Sequence, residues 1–340
     1  MVTIRDVARE AKVSIGTVSR AYNGYSDINA QTREKVFEVA AQLGYAPNVN
    51  ARSLSAKVSN NIGLIVSGFY ESDRRDGYIL QMLKGIYRYA SEHSVEVAMY
   101  TLDASQQKQK PYERFCEEHS IYGAILSGVA TNDYYFKRLV QAGMPCVLID
   151  VSSIKGKGLG CVSVDNVQAA GDMAQYLIDS GHRDIVVVQG KKTAEVNNFR
   201  IAGIYSVFEK NGMKLSRKNI LTGDFSERMA YDAVTAYLKS HGSENHTAFL
   251  CLSDIMALGV MQAIRDMGYS VPEDFSVTGF DGIPIAEYTT PKLTTIEQRV
   301  DEIGYQAAAL LQKLRANPEE TGCVYVPYEM KIRDSVKKIQ

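Results

Sequence analysis

The residues best suited to chemistry near the start of the chain lie in Val13-Ser14-Ile15-Gly16-Thr17-Val18-Ser19-Arg20-Ala21-Tyr22-Asn23-Gly24. A guanidinium such as that of Arg20, carried on a short helix, can hold one guanine edge by two hydrogen bonds. Ser14 suits a helix N-cap, because its hydroxyl accepts from the free N–H groups of the first turn. Val18 and Ala21 make a narrow apolar stripe that docks the helix on a neighbour. Ile15, Gly16, Thr17, Ser19 and Arg20 fall beside that stripe and remain available. Far along the chain, Val277-Thr278-Gly279-Phe280-Asp281-Gly282 sets Asp281 just past an apolar strand. A carboxylate there can accept from two adjacent hydroxyls of a sugar. Phe225, in Gly223-Asp224-Phe225, can pack its ring on a sugar or a base.

Groups of this kind need elements to hold them, and composition bounds what those elements are. The 340 residues, 45% hydrophobic and 23% charged, suit two or three globular domains. Residues 1–60 carry eight Lys and Arg against five acids, a surplus of +3, which leaves −4 on the rest of a chain whose total is −1. A modestly basic end on an acidic body fits a small nucleic-acid-binding head. No apolar run reaches the roughly 18 residues needed to span a bilayer. The first residues lack the pattern of a signal peptide, so a cytoplasmic protein without membrane partners is expected. The cysteines (Cys116, Cys146, Cys161, Cys251, Cys323) are odd in number, scattered and without metal spacing, and read as reduced thiols. No cofactor motif is found.

In the head, Thr3 caps a helix whose Ile4, Val7, Ala8 and Ala11 follow i, i+3, i+4, i+7 spacing. Lys12-Val13-Ser14 turns the chain into the Arg20 helix, which Asn23-Gly24 ends, so the pair reads as helix-turn-helix. A third helix starts near Gln31, presents Val36, Val39, Ala40 and Leu43, and stops at Gly44. The segment 48–60 has fair helix propensity but is too short to hold a helix alone in water. It is expected to become helical on DNA.

These motifs resemble the head of the LacI/GalR family of bacterial repressors: Thr3-Ile4-Arg5-Asp6-Val7-Ala8, Val13-Ser14-x-x-Thr17-Val18-Ser19-Arg20, Thr32-Arg33-x-x-Val36 and Leu43-Gly44-Tyr45-x-Pro47-Asn48. The resemblance implies that the second helix enters the major groove, with base contacts from Ile15, Gly16 and Arg20 and with Thr17 at the edge. Ser14 and Asn23 would hold phosphates, which fix register without reading sequence. Because Gly16 has no side chain, Ile15 and Arg20 should carry base discrimination. The resemblance also makes Leu54 an apolar wedge in a minor-groove base step, which bends the duplex. The competing reading is a three-helix interaction module with Arg20 on a solvated face and Leu54 covering a domain edge.

From Asn61 onward, short β-branched runs alternate with helical stretches, the pattern of parallel sheets covered on both faces. Expected strands are Ile62–Val66, Val95–Tyr100, Gly123–Leu126, Pro145–Ile149, Cys161–Val164, Ile185–Val188, Ala248–Leu252 and Phe275–Gly279, with Val324–Ile332 as an edge strand. The expected fold is an all-α helix-turn-helix head (1–47), a linker (48–60) and an α/β domain of two parallel-sheet halves (61–340). The halves are read as about 61–160 plus 294–322, and about 162–292 plus 324–340. The order resembles the periplasmic-binding-protein fold of the family's effector domain, with three crossings between halves and a ligand cleft at the hinge.

The resemblance adds Arg200, in an Arg-x-x-Gly helix start, as a donor to ligand oxygens, and Asp165 and Tyr78 as further ligand contacts beside Asp281 and Phe225. Ile79 and Gly282 depart from the usual pattern and leave the ligand's identity open. Packing or capping roles compete at each of these positions. The function expected is an operator-binding repressor that acts as a homodimer on a pseudo-palindrome. It would respond to a small ligand, a sugar in the first reading and a nucleobase or phosphorylated sugar in the second. A sugar-binding protein without regulatory role is a third. No phosphate loop, metal-spaced cluster or nucleophile elbow suggests an enzyme.

Overall fold

The computed structural model describes residues 2–22, 25, 27–45, 60–67, 76–141, 143–153, 155–242 and 246–339, in two units that divide between Ser59 and Asn60. Asn23, Leu54 and the linker segment 48–59 lie outside the described residues.

The head has three helices, α1 (Ile4–Ala11), α2 (Ile15–Tyr22) and α3 (Ala30–Leu43). Each begins where a side chain satisfies the first free N–H groups or the N-cap itself. Asp6 accepts from the N–H and hydroxyl of Thr3 at 2.9 and 2.7 Å, Ser14 from the N–H of Thr17 at 3.0 Å, and Asn29 from the N–H of Thr32 at 2.7 Å. Lys12 and Gly44 close α1 and α3 in the left-handed conformation, which glycine adopts without strain. Val7, Ala8, Ala11, Val18, Ala21, Val36 and Ala40 form the small core, as the spacing predicts.

The second unit has two six-stranded sheets. The first lobe contains β1 (Asn61–Ser67), α4 (Asp76–His93), β2 (Glu96–Leu102), α5 (Ala104–Gln109), α6 (Tyr112–Glu118), β3 (Gly123–Ser127), α7 (Tyr134–Arg138), β4 (Cys146–Ile149) and β5 (Leu159–Ser163). The second contains α8 (Asn166–Asp179), β6 (Ile185–Gln189), α9 (Glu195–Lys210), β7 (Ile220–Thr222), α10 (Glu227–His241), β8 (Ala248–Cys251), α11 (Asp254–Asp266), β9 (Ser276–Asp281) and β10 (Thr294–Glu297). The chain then returns to the first lobe with α12 (Val300–Ala316) and β11 (Gly322–Tyr325), and ends in the second with β12 (Glu329–Lys331). The strand orders are β11-β5-β4-β3-β1-β2 and β12-β10-β9-β8-β6-β7, parallel except for β12 against β10. The strands β3, β5 and β6 are buried along their whole length, because helices cover both faces. Helix α12 packs on α4 almost backbone to backbone: a Cβ on Gly85 would lie 1.7 Å from the carbonyl oxygen of Asp301, and one on Gly304 2.1 Å from that of Met82.

Three segments differ from the sequence expectation. The run at Cys161–Val164 pairs with β4 and so belongs to the first sheet, where the apolar pattern suggested the start of the second half. The run at Thr294–Glu297 pairs with β9 in the second sheet, and the return to the first lobe begins only at α12. The tail forms two strands in different sheets, β11 on β5 and β12 on β10, instead of one edge strand. Apolar alternation marks a strand but carries no label for its partner, which long-range packing chooses. The chain therefore crosses between lobes three times: after β5, after β10 and between β11 and β12.

Two cysteines also depart from the reading as free thiols. Cys161 and Cys323 are directly paired in the β5–β11 register, with Cα atoms 4.3 Å apart, and their sulfurs are bonded. Their separation of 162 residues hides the pairing from sequence. Cys116, Cys146 and Cys251 are free and buried.

Candidate functional site

In the head, the exposed face of α2 presents Ile15, which is 46% accessible, and Arg20. The Arg20 guanidinium donates to Asp27 at 2.7 Å. Gly16 lies between with open space around it, apart from the Ser14 hydroxyl 3.5 Å from where a Cβ would stand. The hydroxyls of Ser14 and Thr17 lie 2.9 Å apart and share a hydrogen bond. Ser14 thus caps the helix and orients Thr17. The apolar stripe of Val18 and Ala21 holds this face outward.

In the second unit, a cavity of about 210 Å³ lies between the lobes, beyond the carboxyl ends of the strands. It gathers four of the five residues named from sequence: Tyr78, Arg200, Phe225 and Asp281. The fifth, Asp165, is exposed and is not among the residues that line the cavity. Its carboxylate accepts from the N–H of Gln168 at 2.9 Å and caps α8.

Arg200 is 2% exposed and is held by the wall. Its Nε donates to Asn166 Oδ1 at 2.8 Å and its Nη1 to the Leu252 carbonyl at 2.6 Å, and its guanidinium lies 3.6 Å from the Phe280 ring centre. Nη1 also reaches Asp281 Oδ1, at 3.5 Å. Asp281 closes β9 with φ of 114°, and Gln298 donates to it at 2.7 Å. Burial pushes its carboxyl above the ordinary range; Arg200 opposes the shift and the nearby Asp150 adds to it. Phe225 takes φ of 57°, and its ring covers Gly190, where a Cβ would lie 2.1 Å from the ring tip.

Two residues that sequence reading missed complete the arrangement. Asp150, just past β4, accepts from Ser163 at 2.5 Å and from the Tyr78 hydroxyl at 3.4 Å. Burial, then the charges of Asp150 and Asp281, hold the Tyr78 phenol well above its usual range. Glu195, the first residue of α9, lines the same cavity. Asp150 follows a predicted strand as Asp281 does, so the strand-end rule was able to find it. Glu195 carries no local signal.

Asp254, next to the N-cap Ser253 of α11, lies behind the cavity and is fully buried. It accepts from Thr295 at 2.5 Å and from the Ile283 N–H at 2.9 Å, and so ties β9 to β10 as a structural contact. Burial raises its carboxyl, and the charge of Asp281 raises it further. Among the described residues no group of His, Cys, Asp and Glu could hold a metal ion, and no helix is long and apolar enough to cross a membrane.

A helix-turn-helix head joined to a two-lobed α/β body with a cleft between its sheets defines a DNA-binding protein fused to a periplasmic-binding-protein-like domain. Comparison with known families agrees. Residues 3–48 match the bacterial regulatory proteins of the lacI family, and residues 174–336 match a periplasmic binding protein-like domain. Catabolite control protein A of Priestia megaterium is 31% identical over 339 residues, 99% of each chain. The HTH-type transcriptional repressor PurR of Vibrio vulnificus is 30% identical over 345 residues, 100% of each chain. The chain belongs to the lacI family of bacterial transcriptional regulators. Among solved structures, the lac repressor dimer bound to operator and the anti-inducer ONPF superposes with a TM-score of 0.85 at 26% identity, over 99% of both chains. The CelR–cellobiose complex shares the fold, with a TM-score of 0.74 at 24% identity, over 98% of this chain and 100% of that one.

Proposed function

We propose that this protein is a cytoplasmic repressor whose operator affinity is set by a small uncharged sugar bound between the lobes. The observation that supports a sugar is that Asp150 and Asp281 line one cavity with Arg200, whose Nη1 already donates to the Leu252 carbonyl. Their remaining lone pairs favour ligand groups that donate, such as ring hydroxyls. Among the described residues, Asp133, Asp150, Glu195 and Asp281 line the cavity with Lys191 and Arg200. That balance disfavours a phosphorylated sugar, since like charges at close range repel in a water-poor site. The volume of about 210 Å³ is small beside the roughly 300–1,000 Å³ usual for drug-sized ligands, and suits a single ring. The Phe225 ring face supports a second reading, a nucleobase ligand.

On the DNA side, Ile15 and Arg20 read bases, Ser14, Thr17 and Asn23 support them, and Leu54 wedges the minor groove. Ile15 and Arg20 support the reading by their exposure on α2. A homodimer suits the exposed Leu80 and Tyr87 of α4 and the exposed Ile285 and Tyr288 after β9. A thermal-shift panel of neutral sugars, sugar phosphates and nucleobases tests the ligand. A neutral sugar is expected to raise the melting temperature, and a shift confined to sugar phosphates would sink the reading. A gel shift on the promoter of the protein's own gene, at stated salt, tests the head. Binding is expected to vanish when residues 1–59 are deleted.

A further inference from the structure

We propose that Glu195 is a latch that fastens the two lobes across the mouth of the cleft, an inference that rests on the cleft being the regulatory site. Glu195 belongs to the second lobe, at the first turn of α9. Its carboxylate makes no capping bond to its own helix, whose N-cap Ala194 has none. Instead it reaches the loop after β4 in the first lobe. Oε1 accepts from the backbone N–H of Ser152 at 2.7 Å, from that of Ser153 at 3.0 Å and from the Ser152 hydroxyl at 3.3 Å. Oε2 accepts from the Ser153 hydroxyl. Two successive N–H groups and two hydroxyls make an anion nest, and the positive end of α9 favours the carboxylate from the other side. Glu195 is 7% exposed, so water competes little for these donors.

The same segment supplies a second fastening. The Thr193 carbonyl accepts from the N–H of Thr131 at 2.9 Å and from its hydroxyl at 3.0 Å, and Thr131 follows β3 in the first lobe. Both contacts thus leave the β6–α9 turn, which also lines the cavity through Lys191 and Ala194. The latch loop is continuous with Asp150, two residues before Ser152, and α9 carries Arg200 five residues after Glu195. Fastening Glu195 to Ser152 and Ser153 therefore sets the first lobe's Asp150 in register with the second lobe's Arg200 and Asp281. A ligand touching this turn shifts the population toward the fastened state, and that state presents the completed site.

The test is hydrogen exchange of the full-length, ligand-free protein combined with small-angle scattering. In E195Q one acceptor oxygen becomes a donor and the charge is gone. Protection of the Ser152 and Ser153 amides is expected to fall roughly tenfold or more, as for loss of a charge-assisted hydrogen bond. The radius of gyration is expected to rise while protection in β6 is unchanged. Unchanged protection at both serines overturns the latch. Lost protection with unchanged dimensions also overturns it, because Glu195 would then order only its own loop. If E195Q does not fold, S153A keeps both backbone donors and is expected to show the same changes at smaller size; no change in it overturns the proposal. No ligand enters the experiment, so failure here leaves the sugar reading standing, and a failed sugar panel leaves the latch standing.

Discussion

Arg200 Nη1 lies 2.6 Å from the Leu252 carbonyl but 3.5 Å from Asp281 Oδ1. Nε and Nη1 of the guanidinium are thus turned to the protein, while Arg200 and Asp281 both still line the cavity. Asp281→Ala is expected to weaken the effector about tenfold to a hundredfold, the scale of a hydrogen bond to a charged group. Isothermal titration with the sugar that shifts the melting point reads this directly. Affinity retained within twofold would remove Asp281 from the site.

Ligand binding should depend on pH through the same carboxyl. Burial raises Asp281 above its ordinary value of 3.8. Ligand hydroxyls donate to the ionised form, so affinity is full above the raised value and is lost as pH falls through it. Folding runs the other way. The folded protein holds this proton more tightly than the unfolded chain, as it does at Asp254. Their contribution to stability is therefore present at low pH and lost as pH rises through the raised values. Binding isotherms and urea melts across that window check both signs, with D281N removing the binding slope.

Gly190→Ala should act on Phe225. The added methyl would meet the ring at 2.1 Å, so the ring must leave its seat. The expected cost in stability is about 1–3 kcal/mol, as for overpacking, together with weaker effector binding. Denaturant unfolding and titration of the one variant measure both. A variant unchanged in both would mean that the ring moves freely and does not form part of the wall.

Arg20→Ala is expected to lower preference for the operator over a site altered at the contacted guanine by roughly tenfold or more. Its ion pair with Asp27 is exposed at both ends and should matter little to folding, since such pairs contribute about 0–1 kcal/mol. Asp27→Ala should therefore leave the melting temperature nearly unchanged while freeing the guanidinium. Competition gel shifts at fixed salt separate base reading from phosphate attraction. Equal discrimination by wild type and R20A would overturn the assignment.

Much of the molecule was legible in the chain itself. The caps at Thr3, Ser14 and Gly44, the stripe of Val18 and Ala21 and the buried runs of β3 and β6 are local patterns. Neighbours three, four or two positions apart decide them. Asp281 was legible for the same reason, because a polar residue ending an apolar strand marks the open edge of an α/β sheet. Asp165 shows the limit of that reasoning. A carboxylate before a helix serves equally as cap or ligand contact, and here its N–H partner is Gln168.

Tertiary structure decided which strands share a sheet, which cysteines meet and which acids face one another. Cys161 and Cys323 meet only because β11 returns to pair with β5. Asp150 joins Asp281 in the lining of one cavity, and Glu195 meets its serine partners, only where the two lobes come together. Local spacing specifies an element and its apolar face. Register between elements far apart in sequence is set by which faces bury together, and that is determined only once both lobes have folded.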